Sequence, residues 1–131
     1  MNFLKIYIIA FVVFLAIDAL WLGLVAPKFY KAQIGHLMAE KPNFIAAGIF
    51  YLLFIVGLVY FIKPGIEAGE LGKVVLSAAI FGFMAYATYD LTNLATLKDW
   101  PITVTIVDLI WGTFLSSTIS LVTYLLYHWF W

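Results

Sequence analysis

Three aspartates, Asp18, Asp90 and Asp108, each interrupt a run of apolar residues that is otherwise almost free of charge. A carboxylate near the centre of a membrane helix costs about 2.5–3.5 kcal/mol on insertion scales, so three of them must be offset by hydrogen bonds, protonation, water or a bound cation. No lysine, arginine or histidine stands at their level in the sequence, so ionised together they would repel one another without an internal counter-charge. Two chemistries follow. Either the carboxyls form a site for a proton, a small cation, a proton-coupled solute or a lipophilic amine, or they are neutral hydrogen-bonding groups that hold helices together.

Four apolar stretches carry these residues, at about 3–25, 44–62, 74–97 and 102–130, each near or above the roughly 20 residues needed to cross hydrocarbon. With 66% apolar residues, 11% charged residues and a mean hydropathy of +1.07, the bilayer is the only solvent that suits the surface. The expected fold is an all-α integral membrane protein, a single domain of four transmembrane helices over residues 1–131 with lipid as its surroundings. The first stretch is too long for the apolar core of a secretory signal and contains Asp18, so it reads as a retained helix. Four spans place both ends of the chain on one side, side A, and the first and third loops on the other, side B. Lysines near the helix ends are too evenly divided to orient the chain, with a slight excess on side B.

The first loop, Ala26–Asn43, mixes Lys28, Phe29, Tyr30, Lys31, Ile34, His36 and Leu37, a composition suited to an interfacial helix or an anchored loop. Pro64, Gly65, Gly69 and Gly72 mark the second loop. The third, Lys98-Asp99-Trp100-Pro101, is so short that the helices flanking it must be antiparallel neighbours.

Helical rise then places the acids. Asp18 and Asp90 are each eight residues from side B and Asp108 is seven from Pro101, so all three lie about 10–12 Å below that side. Tyr51, seven residues into the second stretch, offers a phenolic donor at the same depth. Tyr86, Asp90 and Asn93 share a face of the third helix, and Thr105, Asp108, Gly112, Ser116 and Ser120 form a small and polar stripe on the fourth. Ile17-Asp18-x-x-Trp21 recurs as Val107-Asp108-x-x-Trp111, which places an indole N–H one turn from each carboxyl. The candidate binding set is therefore Asp18, Asp90, Asp108, Asn93, Tyr86, Tyr51, Trp21, Trp111 and Thr105.

The composition excludes other classes. With no arginine and no basic stripe there is no nucleic-acid surface, and with no cysteine there is no thiol chemistry. His36 and His128 fall on opposite sides, so no metal site is assigned, and no cofactor motif is present. The closing Tyr127-His128-Trp129-Phe130-Trp131 reads as an interfacial anchor. An intramembrane aspartyl-type hydrolase built on Asp90 and Asp108 is the enzymatic alternative, although the Gly-x-Gly-Asp element of such enzymes is missing before Asp108. A small assembly subunit is the structural one. Four short helices enclose little volume, so translocation would call for a homo-oligomer.

The segments Ala16-Ile17-Asp18-Ala19-Leu20-Trp21-Leu22-Gly23, Ala85-Tyr86-Ala87-Thr88-Tyr89-Asp90-Leu91-Thr92-Asn93-Leu94-Ala95-Thr96 and Val107-Asp108-Leu109-Ile110-Trp111-Gly112-Thr113 resemble the motifs of the DUF2177 family of small bacterial membrane proteins. The resemblance runs over nearly the whole chain, including Phe29-Tyr30 and Ile34-Gly35-His36 in the first loop. It implies a multi-pass protein of the bacterial inner membrane and transfers no activity.

Overall fold

In the computed structural model, which describes residues 2–131, the chain is helical almost throughout: α1 (Asn2–Leu24), α2 (Ala26–Ile34), a 3-10 turn (Gly35–Leu37), α3 (Phe44–Ala68), α4 (Leu71–Thr96) and α5 (Ile102–Phe130). Helices α1, α3, α4 and α5 are each long and apolar enough to cross a membrane. Helix α1 packs against α3 and α5, and α4 packs against the same two, so the four spans form a ring in the order α1, α3, α4, α5. The α4–α5 contact is by far the most extensive, as their short connection requires. That connection turns at Asp99, whose φ of 61° is a left-handed conformation that aspartate tolerates better than most residues. Trp100 is buried beside it and Pro101 caps α5.

The buried stripes explain why the helices face as they do. On α1, Ile6, Ala10 and Phe14 lead at four-residue steps to Asp18, and on α4, Val74, Ala78 and Gly82 lead through Tyr86 to Asp90. These steps put each set on one helix face. Toward side A the ring is filled by aliphatic and aromatic side chains, among them Ile55, Leu58, Ile62, Ile66, Leu115 and Ile119. Large apolar residues such as Leu4, Val12, Ile45, Leu53, Ile80 and Ile110 cover the outside, the inverse of a soluble bundle and the pattern that lipid-facing helices require.

The second helix is longer than its sequence suggests. Its composition predicts an end near residue 62, ahead of Pro64 and Gly65, and a start of the next near 74. Instead α3 runs through Pro64 to Ala68, and α4 begins at Leu71. Proline there forgoes one backbone hydrogen bond, but the turn it sits in buries Ile62, Gly65 and Ile66, and Lys63 pairs with Glu67 one turn on at 2.6 Å. Asn2 of α1 donates to the same Glu67 at 2.7 Å. The helix stops at Gly69, whose φ of 71° lets the Glu70 N–H reach the Gly65 carbonyl at 2.9 Å and the Gly69 N–H the Ile66 carbonyl at 3.2 Å. A Cβ at Gly69 finds room, so Gly69→Ala should lose only the left-handed strain, about 1 kcal/mol, read as a small fall in the midpoint of thermal unfolding in detergent.

Helix α2 occupies the first loop and does not lie free in the headgroups. Ala26, Tyr30 and Ile34, at four-residue spacing, turn inward over the side-B end of α1 and α5, whereas Lys28 and Lys31 face out. The bundle is therefore capped on the side where the aspartates lie.

Candidate functional site

Beneath α2 the ring does not close. A cavity of about 380 Å³ is lined by Asp18, Trp21 and Phe14 from α1, Tyr30 and Ile34 from α2, Tyr51 from α3, Tyr86 and Tyr89 from α4, and Asp108 and Trp111 from α5, with Trp100 at its margin. Its size is that of a site for one small organic molecule. A second cavity, of about 340 Å³, is lined by Phe50, Ala85, Tyr86, Tyr89 and again Asp108. It lies between α3 and α4, where Phe50 and Tyr89 are 48% and 56% exposed on the lipid-facing surface. Asp108 thus borders both the chamber under α2 and the opening between α3 and α4.

Two of the acids have tyrosine donors. Tyr51 donates to Asp18 Oδ2 at 2.5 Å, and Tyr30 of α2 donates to Asp108 Oδ1. Burial first, and the Asp108 carboxyl second, push the Tyr30 hydroxyl above the ordinary phenol range, so it stays protonated and serves as a donor. Trp21 and Trp111 do not donate to their aspartates as the sequence spacing suggested. Their rings stack on each other, centroids 4.1 Å apart and 12° from parallel, and Tyr30 meets Trp21 edge-on. The recurrent Asp-x-x-Trp pattern thus becomes two facing units on antiparallel neighbours α1 and α5, each with a carboxyl, an indole and a tyrosine from elsewhere in the chain.

Asp90 differs from the other two. It is fully buried, lines neither cavity, and neither of its side-chain oxygens meets a hydrogen-bond donor among the described residues. Its side chain faces that of Asp108 across the close α4–α5 contact. Thr105 is buried just above it, accepting from Trp100 Nε1 at 3.1 Å and donating to the Asp90 backbone carbonyl at 3.4 Å. Thr105 therefore fixes the backbone and leaves the carboxyl alone. Asn93, expected on the same face, is half-buried one turn on and does not reach the chamber.

The small stripe of α5 has a packing role. A Cβ on Gly82 would collide with the Gly112 carbonyl and the Ser116 side chain, and one on Gly112 would collide with the Tyr86 ring. Glycine at both positions lets α4 and α5 approach closely enough to bring Asp90 against Asp108.

A family described as "Predicted membrane protein (DUF2177)" matches residues 3–125. The chain belongs to the DUF2177 family. No curated protein and no solved structure matches it. The segments that carry the family resemblance supply Asp18, Trp21, Tyr86, Tyr89, Asp108 and Trp111, most of the polar and aromatic wall of the chamber. Among the described residues of this DUF2177 protein, no three histidine or carboxylate side chains converge to hold a metal ion.

Tyr30, Tyr89 and Trp100 belong to this wall although their spacing from the aspartates in the sequence does not single them out. A signal for Tyr30 existed in the four-residue spacing of Ala26, Tyr30 and Ile34, which gives the first loop an inward face, but nothing local tells which helix that face will meet.

Proposed function

We propose that this DUF2177 protein binds an organic cation, specifically a lipophilic amine, with its charged group at Asp108 and Asp18 and its apolar body against the surrounding rings. The observation that carries the reading is one cavity walled by two carboxyls and seven tyrosine and tryptophan rings, with no lysine or histidine among its lining residues. Aromatic faces attract a cation most when it is desolvated, and they suit a quaternary or alkylated ammonium better than a hydrated metal ion. The opening between α3 and α4 supports a ligand that reaches the site through the bilayer. A bacterial inner membrane is the setting that the family resemblance implies.

The same site supports binding more directly than passage. The half of the ring toward side A is filled mostly by apolar side chains, with the hydroxyls of Ser116, Ser120 and Thr123 buried among them, so translocation would require helix rearrangement or a second copy of the chain. The nearness of Asp90 and Asp108 favours the hydrolase alternative, yet a catalytic acid pair must share a water with substrate, and Asp90 faces no cavity. The assembly-subunit alternative draws on the two tyrosine–aspartate hydrogen bonds, which would hold the helices without any ligand.

Titrating benzyltrimethylammonium into the protein in nanodiscs separates these readings. Trp21, Trp100 and Trp111 border the chamber, so saturable quenching of tryptophan fluorescence is expected, with benzyltrimethylammonium bound more tightly than tetramethylammonium and no displacement by sodium. An emission that changes only in proportion to added salt would leave the acids as interhelical glue.

A further inference from the structure

The chamber makes use of Asp18 and Asp108 and leaves Asp90 unexplained. Asp90 is the most deeply buried of the three, 0% exposed against 7% for Asp18 and 5% for Asp108. The titratable groups that face the Asp90–Asp108 pair are Tyr30 from α2, Asp18 from α1, Tyr51 from α3, and Tyr86 and Tyr89 from α4. None is a cation. A carboxylate at Asp90 would have neither a donor nor a counter-charge, a state that buried groups avoid by taking up a proton. Two carboxyls can hydrogen-bond each other only when at least one is protonated.

We propose that the Asp90–Asp108 pair is the proton store of the site, and that each organic cation bound at Asp108 expels one proton from the pair toward side B. The inference rests on the organic-cation reading above. In the empty site no cation offsets a negative charge on the pair and Asp90 has no donor, so both carboxyls hold their protons. When an ammonium group arrives, the Asp108 O–H bond breaks and its proton passes to water in the chamber. Asp90 keeps its own proton and donates it to the new Asp108 carboxylate, as Tyr30 does from the other side. One positive charge enters and one leaves, so the net charge of the buried layer stays constant. Asp90 touches no ligand in this scheme. It is a positioning residue whose O–H steadies the Asp108 carboxylate once the cation has displaced its proton.

Benzyltrimethylammonium carries no exchangeable proton, so every proton released on binding must come from the protein. Calorimetric titration of the full chain in nanodiscs, in two buffers of different ionisation enthalpy near neutral pH, counts those protons. About one per bound cation is expected, with the affinity rising about tenfold per pH unit while the pair remains protonated. In Asp90→Val the expelled proton still comes from Asp108, but the new carboxylate has lost the Asp90 O–H donor, so about one proton should still be released with the affinity down about tenfold. Asp90→Asn, whose amide N–H takes the place of that donor, should bring the affinity back to within about threefold of wild type. Wild-type binding without proton release, or Asp90→Val binding as tightly as wild type, overturns this inference and leaves the cation site standing. No binding to the wild type overturns both.

Discussion

Asp108→Asn should weaken benzyltrimethylammonium binding by about a hundredfold while the protein remains folded. Asp108 borders both the side-B chamber and the opening between α3 and α4, so a cation arriving by either route meets it. Removing one partner of a desolvated charge pair typically costs 2–5 kcal/mol, and about 2.7 kcal/mol corresponds to a hundredfold change in the dissociation constant. Asparagine keeps an oxygen for the Tyr30 hydroxyl and has nearly the same volume, so the substitution removes charge without opening a cavity. Tryptophan quenching gives the affinity, and elution as the wild-type species in size-exclusion chromatography checks the fold. An affinity within about threefold of wild type would remove Asp108 from the site, since a salt-screened surface carboxylate contributes only about 1 kcal/mol or less.

Gly82→Leu should be the most damaging single change to the fold, with a loss of about 3 kcal/mol or failure to accumulate as a folded protein. Even the first carbon of a side chain at Gly82 meets the backbone carbonyl of Gly112 and the Ser116 side chain, and a carbonyl on a packed helix cannot swing aside as a flexible side chain would. Overpacking a close helix contact costs about 1–3 kcal/mol or more, and leucine adds three further carbons to the clash. Gly82→Ala should show the same effect at smaller size. By contrast, Gly48→Ala meets nothing within 4 Å and should be nearly silent, which controls for the general effect of removing glycine from a membrane helix. Reversible unfolding in mixed micelles measures all three. If Gly82→Leu were as stable as wild type, α4 and α5 could not be as close as the Asp90–Asp108 contact requires.

The two results would bear on one another. Gly82 and Gly112 set the distance between α4 and α5, Tyr86 fills the gap above Gly112, and Tyr86 and Asp108 together border both cavities. A variant that parts these helices should lose the cation site along with the helix contact. Asp108→Asn should lose the site alone.

Much of this architecture follows from the amino-acid sequence by itself. Runs of about twenty apolar residues can be solvated only by lipid, so their number sets the number of spans. The regular rise of a helix places Asp18, Asp90, Asp108 and Tyr51 at one level before any contact is known. Periodicity likewise puts Gly82, Tyr86 and Asp90 on one face of α4. What periodicity lacks is the rotation of each helix against its neighbours, and that depends on packing between residues far apart in the chain. Only the tertiary structure turns Asp18 and Asp108 toward a cavity and Asp90 away from it. It also joins Tyr30 to Asp108 across 78 positions and stacks the two indoles that spacing alone had assigned to carboxyls. Pro64 shows the same division from the other side. Local propensity says that a helix should break there, and burial of Ile62, Gly65 and Ile66 against the rest of the bundle holds it together. Depth along a helix is a local property of the chain. Facing is a property of the whole bundle, because each helix turns to satisfy contacts that its own sequence does not contain.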